Sequence, residues 1–320
     1  MRAPKFWNAQ RLSGRALSAA LSPFGALYGL SVRIKERSAR PFRPKARVIC
    51  VGNLTAGGSG KTPVAIALGH MLAGHGRRVV FLTRGYGGRT AGPLQINPET
   101  HTAEEVGDEP LLLASIAPTV VARDRAKGAA LADELRAEII VMDDGFQNFS
   151  IEKDLSLVVV DAETGFGNRR LIPAGPLRET PEAGLARAHA VVLMNGDTEI
   201  PEFAGERLRA RIELADSPRL AGKKVMAFAG IGRPEKFFAT LREMGAIVVD
   251  TRSFPDHHNF SHADIEKLKT RADALNAFLV TTEKDFVRLD ADAREGVLAV
   301  PVRAVLHDAV AWSKLLGRLA

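Results

Sequence analysis

The stretch that decides the fold runs from Val48 to Pro63 and reads VICVGNLTAGGSGKTP. It joins a short apolar run, a glycine-rich turn and the start of a helical pattern. Glycines in such a turn let successive backbone N–H groups point at phosphate oxygens, and the helix N-terminus adds its positive dipole end. Lys61 then reaches the β- and γ-phosphates, and the Thr62 hydroxyl ligates Mg²⁺. The stretch predicts a phosphate-binding loop (P-loop) for ATP and Mg²⁺.

The glycine spacing departs from the usual P-loop in one place. Thr55 stands where the first glycine is expected, while the GGSGKT end is intact. A glycine-rich turn without function is the alternative, but the strand, loop and helix context favours nucleotide binding. We expect ATP contacts from eight consecutive residues: Thr55, Ala56, Gly57, Gly58, Ser59, Gly60, Lys61 and Thr62.

A second apolar run ends in paired carboxylates. Residues 138–147 read EIIVMDDGFQ, so Asp143 and Asp144 follow what we expect to be a buried strand. Acids at the carboxyl end of a parallel strand face the ligand crevice and can hold Mg²⁺ directly or through water. We predict a metal site at Asp143 and Asp144, with a structural Asp-Asp-Gly turn as the alternative.

Apolar runs alternate with helical patterns along the rest of the chain, which indicates βαβ units and a parallel sheet covered on both faces. This alternation is interrupted near residues 205–222, at Pro218 and Gly222. It resumes with apolar runs that include Val297–Val302. The predicted fold class is α/β, with a P-loop parallel-sheet domain and a second, smaller α/β domain. The predicted boundaries are 1–46 for a basic segment, 47–207 for the P-loop domain, 208–222 for a linker and 223–320 for the smaller domain.

The positive charge of the chain is concentrated at its N-terminus. The net charge is +7 over 320 residues, yet residues 1–47 hold eleven Lys and Arg against one acid, which leaves −3 for the remainder. Anionic surfaces are therefore expected to meet the N-terminal arm alone. Nucleic-acid binding is disfavoured because the body lacks basic patches and the aromatic content is only 6%.

An uncharged stretch of 17 residues lies between Arg15 and Arg33 and is interrupted by Pro23, too short and broken for a transmembrane helix. Its helical pattern predicts an amphipathic helix on an anionic membrane surface, with Trp7 as an interfacial anchor. Ser18 falls on a different face from the apolar one. The alternative is a helix whose apolar face packs on its own domain. The predicted apolar face comprises Leu12, Ala16, Ala20, Phe24, Leu27 and Tyr28.

The single cysteine and the N-terminal charge pattern indicate the compartment in which the protein resides. Cys50 is the single cysteine and sits in an apolar run, so a reducing compartment and a buried structural role are expected. Basic residues follow the N-terminal apolar stretch and no clean small-residue cleavage site is present, which favours retention over secretion. We predict peripheral attachment to a membrane from its cytoplasmic side.

Together with further motifs, these residues identify a resemblance that spans nearly the whole chain. The chain resembles the tetraacyldisaccharide 4′-kinase family, the lipid A 4′-kinases of Gram-negative bacteria, and the Thr55 departure is itself a feature of that family. An ordered set of this kind is far more specific than any single motif. The matching motifs are VGNLTAGGSGKTP at 51–63, TRGYGG at 83–88, VGDEP at 106–110, DDGFQ at 143–147, PAGPLRE at 173–179, FPDHHNFS at 254–261 and VTTEKD at 280–285.

The resemblance implies transfer of the ATP γ-phosphoryl group to the 4′-hydroxyl of a tetraacylated glucosamine disaccharide 1-phosphate. In the family the base is the aspartate of a GDE motif, assisted by the histidine of a DH motif, which match Asp108 and His257. A sugar hydroxyl is a weak nucleophile, so a carboxylate that accepts its proton is chemically expected.

Both residues have structural alternatives on sequence grounds. Asp108 precedes Pro110 and can cap a helix that opens there. His257 belongs to a histidine-rich stretch that suggests a zinc site, although no cysteine and no third well-spaced ligand accompanies it. Ser261 and Asp264 read as a capping box, which leaves His257 in the preceding loop.

Loops at other strand ends supply candidates for the acceptor. Arg178 is suited to pair bidentately with a phosphate, and both Tyr86 and Phe146 are suited to cover a sugar ring or an acyl chain. Gln147 and Glu179 complete the predicted substrate-binding set. Solvated surface side chains are the alternative for each. Residues 281–285 also follow a strand, but the sequence assigns them no role.

One competing function comes from another class. A membrane-bound P-loop switch ATPase shares the basic helix and the loop but has no phosphoryl acceptor. It needs neither the Asp108 and His257 pair nor a second domain that carries a catalytic histidine.

Overall fold

The structure is a computed structural model that describes residues 4–7, 12–214 and 220–319. The predicted break at Pro218 therefore lies outside the described residues. The strands are β1 Arg47–Gly52, β2 Val79–Thr83, β3 Leu94–Gln95, β4 Thr119–Val121, β5 Ile139–Asp143, β6 Leu155–Asp161, β7 Ala190–Met194, β8 Glu206–Leu214, β9 Lys224–Ala229, β10 Ile247–Ser253, β11 Phe278–Thr282, β12 Val297–Val300 and β13 Val302–Leu306. The α-helices are α1 Leu12–Ser38, α2 Lys61–Gly74, α3 Ala103–Val106, α4 Asp108–Ala114, α5 Arg125–Glu134, α6 Pro181–Leu185, α7 Pro234–Glu243, α8 His262–Ala274, α9 Glu283–Phe286, α10 Ala291–Arg294 and α11 Ala309–Leu316.

The larger sheet has nine strands in the order β13-β8-β7-β6-β1-β5-β2-β4-β3. All neighbours from β8 to β4 are parallel, and the two edge strands β13 and β3 run antiparallel. Strand β1 lies between β6 and β5, with Val51 opposite Asp143. Because parallel strands end at the same edge, the P-loop after β1 and the acids at the end of β5 lie side by side. The predicted α/β class is confirmed.

Both faces of this sheet are covered by apolar clusters, as expected for a parallel sheet. Alternate residues of β1 point to opposite clusters, with Cys50 on one face and Ile49 on the other. Cys50 is fully buried, which confirms its predicted role as a small core residue.

The smaller sheet has four parallel strands in the order β10-β9-β11-β12. Helix α7 packs its phenylalanines Phe237 and Phe238 on one face, and α8 packs Ile265 and Leu268 on the other. We call this part the small-sheet unit and the part built on nine strands the large-sheet unit.

The packing departs from the predicted domain boundaries in two places. Strand β8 begins in the predicted P-loop domain and runs through most of the described part of the predicted linker, as a strand of the larger sheet. The predicted strand Val297–Val302 is in fact two strands, β12 and β13, which belong to different sheets. Pro301 separates them, because proline has a fixed φ and lacks the N–H that a strand ladder needs. The chain thus returns to the large-sheet unit, where Trp312 is fully buried.

Helix α1 docks on the large-sheet unit through small residues and presents its apolar residues to solvent. Ser18 is buried and donates a hydrogen bond to the Ala174 carbonyl at 2.6 Å. Phe24 and Leu27 are 60% and 65% exposed, so the alternative that the apolar face packs on its own domain is wrong. Trp7 is buried and donates to the Pro173 carbonyl at 3.0 Å, which contradicts its prediction as an interfacial anchor.

No helix in the described part of the chain combines the length and apolarity that crossing a bilayer requires.

Candidate active site

The P-loop has the geometry that its sequence predicts. Strand β1 ends at Gly52, and α2 begins at Lys61 with Gly60 as its N-cap. Gly60 has φ +87°, a left-handed conformation that favours glycine, and a Cβ there would lie 2.9 Å from Met194 Cε. Ala56 N–H donates to the Pro176 carbonyl at 2.7 Å, which ties the loop to the predicted PAGPLRE segment.

The first predicted metal ligand, Asp143, is buried beside the start of α2. Thr62 Oγ1 donates to Asp143 Oδ2 at 2.9 Å, while Asp143 Oδ1 has no hydrogen-bond partner. Burial, reinforced by the charges of Glu109 and Asp144, raises the pKa of Asp143 to about 7. A buried carboxylate with a free oxygen is costly unless a cation compensates it, so these residues fit a divalent ion.

Within the described residues, no group of three or more His, Cys, Asp and Glu side chains is arranged to hold a metal. Mg²⁺ in proteins is usually bound by one or two carboxylates together with waters and substrate phosphates.

Asp144, the second predicted ligand, pairs with cations. Its Oδ1 lies 2.8 Å from Arg178 Nη1 and 3.7 Å from Lys61 Nζ. Burial alone raises the pKa of Asp144, but the charges of Lys61 and Arg178 outweigh it and lower that pKa. The carboxylate therefore orients the P-loop lysine and the arginine predicted to bind phosphate.

Gln147 and Glu179 form part of the same network. Gln147 Nε2 donates to the Asn53 carbonyl at 2.8 Å and to Glu179 Oε1 at 2.9 Å. Glu179 is buried, and its Oε2 accepts from Arg187 Nη2 at 2.6 Å. Both residues thus brace the loops around the P-loop, and their predicted contacts with substrate stay predictions. Phe146 is fully buried in the core of the large-sheet unit, so its prediction as a cover for the sugar or an acyl chain is wrong.

Asp108 begins α4, and Gly107 is the N-cap residue. The carboxylate does not cap the helix, because Asp108 Oδ1 accepts only from the adjacent Glu109 N–H at 2.8 Å. Gly107 has φ +95°, and a Cβ there would lie 2.5 Å from the Tyr86 carbonyl. This close approach packs the TRGYGG loop, which follows β2, against the start of α4.

Asp108 and His257 meet although they come from different units. His257 Nδ1 lies 3.1 Å from Asp108 Oδ2, and the Tyr86 ring packs edge-on against the imidazole with centroids 5.4 Å apart. The capping box of Ser261 and Asp264 forms as predicted, so His257 lies in the loop before α8.

Two residues of this site were missed by the sequence reasoning. Arg288 Nε donates to Asp108 Oδ2 at 2.8 Å, and Lys284 Nζ lies 2.9 Å from Glu109 Oε1. The signal was the polar TTEKD run after a strand, with Arg288 one helical turn beyond Asp285.

Comparison with known proteins accounts for this arrangement. The family model described as "Tetraacyldisaccharide-1-P 4'-kinase" matches residues 17–320. The chain is 52% identical over 309 residues to the tetraacyldisaccharide 4'-kinase of Paramagnetospirillum magneticum, covering 94% of each chain. It is 50% identical over 325 residues to the enzyme of that name from Parvibaculum lavamentivorans, covering 96% of this chain and 95% of the relative.

A solved structure supports the same relation. The chain superposes with a TM-score of 0.77 and 29% identity on the "apo" form of LpxK from Aquifex aeolicus, determined in complex with ATP at 2.2 Å. The match covers 95% of this chain and 99% of that one. With the P-loop, the paired acids and the Asp108 and His257 contact in place, the chain belongs to the tetraacyldisaccharide-1-P 4'-kinase family and is a kinase.

Proposed function

We propose that this chain transfers the γ-phosphoryl group of ATP to the 4′-hydroxyl of a tetraacylated glucosamine disaccharide 1-phosphate, a step of lipid A biosynthesis. The observation that carries the proposal is the 3.1 Å contact of Asp108 with His257, residues 149 positions apart, at the carboxyl edge that holds the P-loop. A hydrolytic switch needs no such pair, whereas a kinase needs a group that receives the proton of the acceptor hydroxyl.

The P-loop side of the site binds and orients ATP. Backbone N–H groups of residues 57–60 and the start of α2 are suited to hold the phosphates, and the Lys61 ammonium neutralises charge that develops on the γ-phosphoryl group. Asp144 keeps Lys61 and Arg178 directed at this region before the substrate arrives. Preorganised cations of this kind need little rearrangement during the reaction.

The fit of Asp143 to a cation supports the inclusion of Mg²⁺. Thr62 and Asp143 are the proposed ligands, with Asp144 supporting them. When bound, Mg²⁺ would neutralise charge on the ATP phosphates.

Asp108 is the proposed base and His257 its assistant. Burial raises the pKa of Asp108, but the hydrogen bond with His257 and the charges of Lys284 and Arg288 outweigh it and keep the carboxylate ionised. An ionised carboxylate is able to accept a hydrogen bond from the 4′-hydroxyl and then its proton. His257 Nδ1 lies 3.1 Å from Asp108 Oδ2, and in the tautomer that carries hydrogen on Nδ1 the imidazole donates to this oxygen and orients the carboxylate. Tyr86, 62% exposed beside His257, is the proposed contact for the sugar or an acyl chain, and Arg178 for a phosphate.

The exposed face of α1 supports attachment to an anionic membrane surface. Its large apolar side chains point away from the body, and exposed basic residues such as Arg15 and Arg33 lie on the same helix. We propose peripheral attachment at the cytoplasmic face of the inner membrane, where a lipid substrate is within reach of the site.

A transfer assay tests the proposed function. Radiolabelled ATP and tetraacyldisaccharide 1-phosphate in detergent micelles are expected to give labelled lipid with the wild-type chain, and about 100-fold less with Asp108→Asn. Release of free phosphate without labelled lipid would instead establish the switch ATPase.

A further inference from the structure

The segment from Thr281 to Arg288, which the sequence left without a role, lies against the proposed base. It leaves β11 and forms the single turn α9, where Asp285 N–H donates to Thr282 Oγ1 at 3.1 Å. This turn packs on α4 of the large-sheet unit. The segment therefore connects the two units at the GDE motif.

Two cations of this segment meet the two acids of that motif. Arg288 donates through Nε to Asp108 Oδ2 at 2.8 Å, and its Nη2 reaches the same oxygen. Lys284 Nζ lies 2.9 Å from Glu109 Oε1. Each acid at the start of α4 thus has a cation from the other unit.

Arg288 is itself held on its far side. Its Nη1 donates to Asp285 Oδ1 at 2.8 Å and to the Gly230 carbonyl at 3.0 Å. Asp285, fully buried, accepts from Gly230 N–H and from Thr282 Oγ1 through its other oxygen. The planar guanidinium is therefore fixed by groups of the small-sheet unit before it meets Asp108.

Asp108 and Arg288 form a buried ion pair. The side chains of Asp108 and Arg288 are only 3% and 6% exposed. A buried carboxylate that loses its partner is strongly destabilised in its charged form. The charge of Asp108 thus depends on the placement of Arg288.

We propose that Arg288 is a positioning residue of the phosphoryl-transfer site, which fixes the orientation and charge of Asp108 and is itself oriented by Asp285. The base is then complete only while the small-sheet unit contacts α4. This inference rests on the proposed role of Asp108 as the base.

The surroundings of Asp108 give the sign of a pH test. Burial raises the pKa of Asp108, but the hydrogen bond from His257 and the charges of Lys284 and Arg288 outweigh it and hold that pKa well below its usual range. Glu109, on the same helix, faces Lys284. Without the arginine the pKa of Asp108 rises. On acidification, Asp108 is then protonated, and activity lost, at a higher pH than in the wild-type enzyme.

The experiment compares Arg288→Met and Arg288→Lys with the control Arg271→Met, which removes an exposed Arg–Asp pair of the same unit. Steady-state kinetics with ATP and the micellar disaccharide are measured across pH, with thermal melts as a folding check. Arg288→Met is expected to lower kcat about 100-fold, leave the KM for ATP within about threefold and move the acid limb of kcat to higher pH. Arg288→Lys should retain the acid limb but lose about tenfold in kcat, since an ammonium lacks the fork.

A merely structural role would not move the pH profile of folded enzyme. Wild-type kcat and an unshifted acid limb in Arg288→Met would overturn the inference. If that variant does not fold, wild-type kcat and a wild-type pH profile in Arg288→Lys would overturn it instead. Adding Arg288→Met to Asp108→Asn should cost nothing more. If Arg288→Met lowers the kcat of Asp108→Asn by the same factor as it lowers wild-type kcat, only the positioning role is refuted. Full activity of Asp108→Asn would refute the proposed function.

Discussion

Asp143 and Asp144 are adjacent in sequence but have opposite electrostatic surroundings. Burial together with neighbouring acids raises the pKa of Asp143, and the charges of Lys61 and Arg178 lower the pKa of Asp144. Backbone geometry produces the difference, because Asp143 ends β5 while Asp144 turns away with φ +51°. We infer that Asp143 serves the cation and Asp144 the two basic side chains.

Replacement of Lys61 tests the P-loop at this scale. Lys61→Ala should reduce turnover by about 100- to 1000-fold with the fold intact, because its ammonium acts on charge that develops during transfer. The measurement is kcat alongside the melting temperature. Lys127→Ala, which removes an exposed lysine from the first turn of α5, serves as the control. Wild-type transfer by Lys61→Ala would contradict the P-loop assignment.

A double-mutant cycle tests the proposed dyad. Asp108→Asn should depress kcat about 100-fold with little change in ATP affinity, because a base acts in the transition state. His257→Gln should act in the same direction but more weakly. The double variant should lose less than the sum of the two free-energy costs, because the residues work as a unit. Strict additivity in kcat, or a loss confined to ATP binding, would reject the dyad.

Helix α1 contacts the large-sheet unit with one side and exposes the opposite side to solvent. Small residues face the body: a Cβ on Gly29 would lie 2.6 Å from Leu171 Cδ1, so that side is in close contact. The opposite side carries a row of exposed apolar side chains. Such a row costs free energy in water and gains it in a lipid interface. The row comprises Leu17, Phe24, Leu27, Leu30 and Ile34.

Charges placed on this row are expected to weaken membrane binding while the fold is retained. Phe24→Glu with Leu27→Glu removes apolar contact at two exposed positions and adds negative charge, which an anionic surface repels. Flotation with liposomes that contain anionic lipid should fall by at least about tenfold. The control is Val310→Glu on α11, also an exposed apolar position at 84%. Equal flotation of both variants would exclude the role of α1.

At the scale of the whole molecule, the two units are joined at more than one place. The chain leaves the larger sheet after β8 and returns to it at β13, so the small-sheet unit is an insertion with two connections. Arg233 Nη1 lies 3.3 Å from Asp161 Oδ2, and Arg288 binds Asp108, so contacts between the units flank the catalytic edge. Movement of the small-sheet unit is therefore expected to change the surroundings of the base.

The stability of the large-sheet unit should depend on the C-terminal helix. Trp312 is fully buried in its core, so Trp312→Ala is expected to cost about 3–5 kcal/mol of unfolding free energy. Val310→Ala, on the same helix and exposed, should stay within about 0.5 kcal/mol of wild type. Urea denaturation followed by circular dichroism measures both. Equal stability of the two variants would contradict the packing of α11 on the larger sheet.

The sequence by itself determined the class of fold and the local chemistry. Apolar runs predict buried strands, and a glycine-rich turn before a helical pattern predicts the P-loop. Strand β1, helix α2 and the acids at the end of β5 were therefore predictable. The motifs also pointed to Asp108 and His257 through the resemblance. These are properties of short segments, which a local pattern records.

Only the tertiary structure decided which distant groups meet. It paired Arg288 with Asp108, buried Trp7 against the Pro173 carbonyl and returned β13 to the larger sheet. None of these has a local signature, because each depends on how buried charges and surfaces far apart in the chain are paired in three dimensions. The physical reason is that local patterns fix periodicity and turn chemistry, while the choice of partner is made by packing over the whole molecule.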